Sequence, residues 1–443
     1  MMTERHTDVA VIGGGMAGLA AARTLADAGR HVLLIEARNR LGGRVYTIRD
    51  TRSPVPVELG AEFIHGRPGV TLALLRECGF AAIDTSGTRY AMENGKLRLA
   101  PDRSDALREL MKRVLREPDE SVDAFLARMS GELGMAETHD FLRMLVEGFD
   151  AADPSIASIR AIAREYESAG GADDDAFRPA AGYGPLVEHL VRSLPPKLVS
   201  ILSNTVVERI AWRADGVTIN CSPVEPVAIR ANHAIVTVPL GVLQSAPKTA
   251  GHIVFDPPLP DQKRDALRQL TMGPVIKVVL RFSRPFWEEL DECRYRDGAF
   301  FNPDGGAFPT YWTSLPLRSS LLTAWAGGPW ARRLAQMSDE RIIAAALEGV
   351  DILFKDANAR KLFEAAYVQD WETDPFARGA YSYVLVGGRG ARSALAQPAG
   401  PALHFAGEAT VEAGEAGTVA GALMSGMRAA REIIAQSHLN ANE

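Results

Sequence analysis

The sequence predicts an α/β fold in which a Rossmann-like nucleotide-binding domain is interleaved with a second, α+β domain. Three features point to it. A buried-looking strand, Asp8-Val9-Ala10-Val11-Ile12, stops at Gly13-Gly14-Gly15 and is followed by an alanine-rich helix and a second apolar strand. Strand-like runs return only after a long stretch of helical periodicity, so two architectures alternate along the chain. The 443 residues are enough for two large domains, or three of about 150 residues each.

An apolar run that ends in glycines suits a parallel strand buried on both faces and entering a tight turn. The helix after it spans about residues 16–28, closed by Gly29, which can take the left-handed conformation of a C-cap. His31-Val32-Leu33-Leu34-Ile35 is the second strand of this βαβ unit. From 101 to 150, Leu107, Leu110, Val114 and Leu115, then Leu142, Leu145, Val146 and Phe149, recur at helical spacing. That spacing predicts several helices with those side chains on the buried face. Strands are expected at Ser200-Ile201-Leu202, Val217-Thr218-Ile219, Ala234 to Val238 and Val275 to Phe282. A last helix over 418–436 places Val419, Leu423, Met427, Ala430 and Ile434 on one face and should dock on a core. Asp173-Asp174-Asp175 reads as a solvated loop.

Composition narrows the function classes. Hydrophobic residues make up 47% and charged residues 23%, as in soluble globular chains, so the chain should fold around buried cores. With 49 basic and 55 acidic side chains interspersed, the net charge is −6, which speaks against a nucleic-acid footprint or an anionic-membrane surface. Cys78, Cys221 and Cys293 are odd in number and widely spaced; neither a disulfide framework nor a metal site is expected, and a reducing cytoplasm fits. There is no secretory signal and no run of about 18 apolar residues, so no membrane span is expected. The expected partner is a small molecule, and an oligomer is left open.

Gly13-Gly14-Gly15-Met16-Ala17-Gly18 fits G-x-G-x-x-G between a strand and a helix, the context that makes this short pattern informative. Gly13 permits the turn, Gly15 lets the backbone approach a pyrophosphate, and Gly18 allows close packing of helix on strand. The helix N-terminus adds unpaired N–H groups for the anion. Glu36 follows the second strand about 20 residues on, where a carboxylate accepts from ribose hydroxyls and disfavours a 2′-phosphate. A bare glycine turn in an α/β core is the alternative. FAD and NAD present the same adenosine diphosphate to such a unit, so the residues alone leave both open.

Glu36-Ala37-Arg38-Asn39-Arg40-Leu41-Gly42-Gly43-Arg44 resembles the E-A-x-x-x-x-G-G-R extension of flavin-dependent amine oxidases. Glu58-Leu59-Gly60-Ala61-Glu62-Phe63-Ile64-His65-Gly66 is similar to the E-L-G-A-x-W-I-H-G segment of polyamine oxidases in that family, with Phe63 for the commoner Trp. Phe405-Ala406-Gly407-Glu408-Ala409-Thr410 and Thr418-Val419-Ala420-Gly421-Ala422 resemble its flavin-closing motif. The resemblance, to a superfamily that also holds monoamine oxidases and lysine-specific histone demethylases, implies FAD in a GR2-type Rossmann-like domain. It implies cofactor contacts from Arg38, Gly43, Gly60, Ala61, Trp371 and Gly407. Arg44 would face the pyrophosphate, Glu408 the ribityl chain, Val207 the adenine, and the Val419 N–H, at a helix start, the flavin pyrimidine oxygen, with Thr418 beside it among the cofactor contacts. A helix N-terminus there suits the negative charge of reduced flavin.

Lys277 stands alone among apolar residues between Met272 and Phe282. A strand lysine ordinarily marks a solvated edge. The segment through Phe286-Trp287 is nevertheless similar to the amine-oxidase stretch whose lysine holds a water against flavin N5, and the resemblance implies that role. Trp371-Glu372-Thr373-Asp374-Pro375-Phe376-Ala377-Arg378-Gly379-Ala380-Tyr381 resembles W-x-x-D-P-[YF]-x-x-G-x-Y. This implies Tyr381 as one wall of an amine cage, with plain core packing as the alternative. Mitochondrial monoamine oxidases carry a second tyrosine where Thr418 stands, and a flavin-linking cysteine where Ala380 stands, so the chain departs from that branch and its FAD is expected to be non-covalent. His65 is read either as a substrate-side polar group or as a core imidazole. Glu62 beside it is read as a group able to receive a second substrate nitrogen.

Residues 76–175 match no motif and are expected to choose the substrate. On this reading the FAD domain is 1–75, 176–273 and 390–443, and the substrate domain is 76–175 and 274–389. The expected reaction is FAD-dependent oxidation of an amine, aliphatic amines or polyamines favoured, to an imine that hydrolyses to a carbonyl, with O2 converted to hydrogen peroxide. The alternatives are a flavin desaturase or dehydrogenase on an apolar substrate, an L-amino-acid oxidase, and a redox-inactive FAD scaffold.

Overall fold

Two large β-sheets carry the fold. The computed structural model describes residues 3–85, 87–131, 136–168, 176–222, 227–355, 357–412 and 414–440, so the acidic run Asp173-Asp174-Asp175 lies outside the described residues. In the first sheet Val199–Leu202, Val32–Ile35, Thr3–Ile12 and Val227–Val236 lie side by side, all parallel. Thr3–Ile12 takes the centre because Val9, Ala10, Val11 and Ile12 are apolar on both faces, each no more than 2% exposed. The far edge of Val227–Val236 is shared: its first half pairs antiparallel with Gly216–Ser222 and its last residues pair parallel with Leu403–Phe405. Val206–Arg213 and Val254–Asp256 complete the sheet.

The helix Met16–Asp27 follows the glycine turn and ends next to Gly29, whose φ is +75°. The C-terminal helix begins at Val419 and runs to Asn440. Its Leu423 and Ala430 share one core with Leu19, Ala20 and Leu25 of the first helix, as its apolar face predicts.

The second sheet runs in the order Phe363–Asp370, Val275–Phe282, Leu321–Gly327, Thr310–Thr313, Gly298–Asn302, Thr88–Glu93, Lys96–Leu99. Val275–Phe282 is an interior strand, antiparallel to a neighbour on either side, and every residue in it is buried. The solvated-edge reading of Lys277 therefore fails: the side chain is 1% exposed, with Trp325 and Gln369 as its register partners. A short ladder of Leu270–Gly273 with Tyr381–Val384 sets Gly273 opposite Tyr381, two residues ahead of the lysine strand.

Helices Ser104–Val114, Val122–Met129, Ala136–Met144 and Ile159–Ser168 form their own core around Leu107, Leu110, Phe125 and Leu142. Phe149 departs from the expectation that it lies on a buried helix face. The chain widens into a π-helical turn at Leu145–Phe149, which shifts the side-chain register, and Phe149 emerges 45% exposed. Among the described residues, no helix is long and apolar enough to cross a membrane, and no group of His, Cys, Asp and Glu is placed to hold a metal.

Candidate active site

A cavity of about 1120 Å³ runs from the glycine turn to the face of the second sheet. Gly13 opens its first end, at φ +109°, a conformation that suits glycine. Gly18 is the one predicted residue that stays off the cavity wall. It lets the helix approach the strand: a Cβ there would fall 1.9 Å from the Gly13 carbonyl oxygen. Gly15 does line the cavity, and a Cβ on it would meet no protein atom closer than 3.9 Å. That gap is open backbone of the kind a pyrophosphate needs. Glu36 is 4% exposed; its carboxylate accepts from Gly14 N at 2.7 Å and Arg38 N at 2.9 Å. Arg38 reaches Asp374, the acid of the W-x-x-D-P segment, at 2.5 Å. Val207 lines the same end of the cavity, beside Thr205.

Arg44 donates to the Ala380 carbonyl at 2.7 Å and to Glu408 at 2.9 Å. Burial pushes the Glu408 carboxyl up, but Arg44, Arg392 and the Ser382 hydroxyl outweigh it and hold the group below its ordinary value. Gly43, Gly60, Ala61, Gly407 and Val419 face the cavity as well. Trp371 is fixed by a bond from its indole N–H to the Leu59 carbonyl, 3.0 Å. Thr418 lines the cavity too. Its hydroxyl accepts from Gly421 N at 3.0 Å and donates to the Glu415 carbonyl at 2.8 Å, so it caps the C-terminal helix.

At the other end stand Lys277, His65 and Tyr381, all on the cavity wall. Lys277 Nζ donates to Glu62 Oε2 at 2.6 Å and to the Gly60 carbonyl at 3.3 Å. Glu62 also accepts from Trp312 Nε1, at 3.0 and 3.1 Å, and from Arg178 Nε, at 3.1 Å. Both its oxygens already accept hydrogen bonds from protein groups. Burial would raise its pKa, yet the Lys277 and Arg178 charges prevail and keep it below the ordinary carboxylate value.

His65 packs edge-on against Phe149 at 5.1 Å. Burial lowers its pKa to about 4, so the ring is a neutral, largely aromatic surface at neutral pH. The Tyr381 hydroxyl donates to the Phe149 carbonyl, and burial followed by the nearby Asp150 charge pushes its pKa up. Further aromatic walls come from Phe63, Phe300, Trp312 and Trp325, with Phe63–Trp312 and Trp312–Trp325 ring centres both 5.6 Å apart. Asp150 lines the cavity too, and its Oδ2 is buried with no hydrogen-bond partner. Burial first, and the neighbouring Glu165 second, raise its pKa well above the ordinary value.

A dinucleotide cradle and an aromatic chamber with one buried lysine, joined in a single cavity, define an oxidoreductase that works on a small organic molecule. The chain belongs to the flavin containing amine oxidoreductases, whose family profile matches residues 16–434. It is 30% identical to Polyamine oxidase 2 of Arabidopsis thaliana, across 97% of this chain and 89% of that protein. It is also 30% identical to Lysine-specific histone demethylase 1 homolog 2 of Oryza sativa subsp. japonica, across 98% of this chain but only 58% of that longer protein. The fold matches that of wild-type putrescine oxidase bound to putrescine, with a TM-score of 0.81 at 23% identity, over 98% of this chain and 100% of that one.

Proposed function

We propose that this amine oxidase holds FAD without a covalent bond and oxidises aliphatic di- and polyamines to imines, with O2 as acceptor and hydrogen peroxide as the second product. FAD, when bound, supplies the two-electron acceptor. Gly13, Gly15 and the helix start at Met16 would hold its pyrophosphate, Glu36 its ribose and Glu408 its ribityl chain. Ala380 offers no sulfur, and Cys78, Cys221 and Cys293 do not line the cavity. The FAD domain would comprise 1–75, 176–273 and 390–443 and the substrate domain 76–175 and 274–389, in a cytoplasmic enzyme. Lys277 would hold a proton at Nζ on the reactive side.

Asp150 carries the choice of substrate. A buried carboxylate without a partner is costly, and the like charge of Glu165 makes it costlier. A cation delivered by the ligand relieves both. With Tyr381 and the aromatic walls around the reacting nitrogen, Asp150 is placed to receive a distal ammonium. The test is an anaerobic screen of putrescine, spermidine, spermine, benzylamine, phenethylamine and L-amino acids, following the fall of flavin absorbance. Di- or polyamines should react fastest, and Asp150→Asn should raise their KM. Benzylamine or phenethylamine ahead by more than about tenfold in kcat/KM, roughly 1.4 kcal/mol of transition-state preference, would overturn the assignment.

A further inference from the structure

The cluster around Glu62 is built more completely than a structural ion pair requires. Lys277 sits mid-strand and inaccessible, with Glu62 Oε2 at 2.6 Å. The Arg178 guanidinium touches the other oxygen and is itself locked onto the carbonyls of Thr313 and Leu315. It lies over the Phe63 ring at 4.5 Å, while Nζ lies 5.4 Å from the Trp312 ring centre. Two cations thus share one carboxylate. A guanidinium keeps its proton at any working pH, so Arg178 is a permanent second claimant on the Glu62 carboxylate. The remaining carboxyl that acts on Lys277 and Glu62 is Glu58, which burial pushes up to about 7 despite its bonds from Thr47 and Tyr183 N.

From this geometry we infer that Glu62 is the positioning residue for Lys277: its carboxylate, shared with Arg178, holds Nζ in place against the Gly60 carbonyl. Glu62 touches neither substrate nor cofactor in this role and acts through the lysine. The inference rests on Lys277 taking part in the reaction as proposed above, and the experiment separates the two.

Holoenzymes carrying Glu62→Gln, Glu62→Asp, Lys277→Met, Glu62→Gln with Lys277→Met, and Glu62→Asp with Lys277→Met are compared in turnover and in thermal melting from pH 7 to 10. Lys277→Met should lose roughly 10²–10⁴-fold, the span of positioned proton-transfer groups. Glu62→Gln should lose a similar factor, and its double variant no more than about threefold further, because both changes remove one unit. In Glu62→Gln Lys277 and Arg178 lose the carboxylate they share, so this variant should melt below its double variant, in which one of the two uncompensated cations is gone. A Glu62→Gln protein that melts with or above its double variant, or Glu62→Gln turnover within about threefold of wild type while Lys277→Met is crippled, would overturn the role of Glu62 and leave the lysine assignment standing. Wild-type turnover in Lys277→Met would overturn the lysine assignment itself. If the Gln variant does not accumulate, the Asp pair decides: pulling the carboxylate back one methylene should cost at least about threefold with Lys277 present and nothing without it, and additive losses refute the coupling.

Discussion

Replacing Gly15 and Gly18 one at a time separates a residue that serves a cofactor from one that serves the fold. Gly15 has φ −77°, open to any residue, and its missing Cβ would meet only the Cα of Gly43 at 3.9 Å and the Gly42 carbonyl oxygen at 4.0 Å, both ordinary contacts. Gly18 differs: its Cβ would fall 1.9 Å from the Gly13 carbonyl oxygen, which the Thr237 hydroxyl holds at 2.9 Å. Backbone on both sides leaves little room to give, and overpacking costs about 1–3 kcal/mol. Gly18→Ala should therefore destabilise the apoprotein by about 2–3 kcal/mol, at the top of that range. Gly15→Val should leave the apoprotein within about 0.5 kcal/mol of wild type, yet its branched side chain fills the space the pyrophosphate needs. A ligand at a hundred times its Kd adds about 2.7 kcal/mol to stability, and Gly15→Val alone should forfeit that increment and purify colourless. Thermal melts with and without added FAD, read beside visible absorbance, check both halves. A yellow, fully loaded Gly15→Val protein, or Gly18→Ala apoprotein that melts with wild type, would refute the reasoning.

Acid precipitation should leave all the flavin in the supernatant, since Ala380 offers no thiol; flavin retained in the washed pellet would contradict non-covalent binding. The amine must be neutral to be oxidised, and an aliphatic ammonium has a pKa near 10.4 on the lysine model, so kcat/KM should rise from neutral to alkaline pH. With its pKa lowered to about 4, His65 should add no limb between pH 5 and 7, where an ordinary imidazole would put a shoulder. For stability the sign is set by the same shift: the unfolded chain takes up the His65 proton first, so stability is lost as pH falls from about 6.5 toward 4. His65→Gln should flatten that part of the acid melting profile. A kinetic limb near 6.5 that vanishes in the variant would return His65 to an ionisable role.

The βαβ unit was legible because each of its signals is local: an apolar run, a glycine turn, a helix stop and a carboxylate follow one another within about 30 residues. Lys277 was legible by family resemblance, whereas strand statistics pointed to the surface. The corrective signal was present in the apolar residues on both sides of it, with no alternation, which marks a strand covered on both faces. Thr418 could have been read as a helix cap from its type and place. The Glu62 cluster could not be read at all, for Arg178, Lys277 and Trp312 lie 116, 215 and 250 residues along the chain from it. No spacing rule spans such distances. Phe149 escaped for another reason: a single π-helical turn at the end of the helix Ala136–Met144 moves a side chain off the face that periodicity assigns.

The ladder that sets Gly273 opposite Tyr381 makes the lysine and the tyrosine parts of one rigid frame, since only Pro274 stands between that ladder and the lysine strand. Asp150, Phe149 and Glu165 arrive on a separate stretch, the helices between Ser104 and Ser168 with their own core. On the roles proposed above, chemistry and choice of substrate can thus diverge at different speeds. A lineage, or an engineer, could exchange that helical stretch as a cassette to retune the chamber for longer, shorter or bulkier amines, while the frame assigned to the oxidation keeps its geometry.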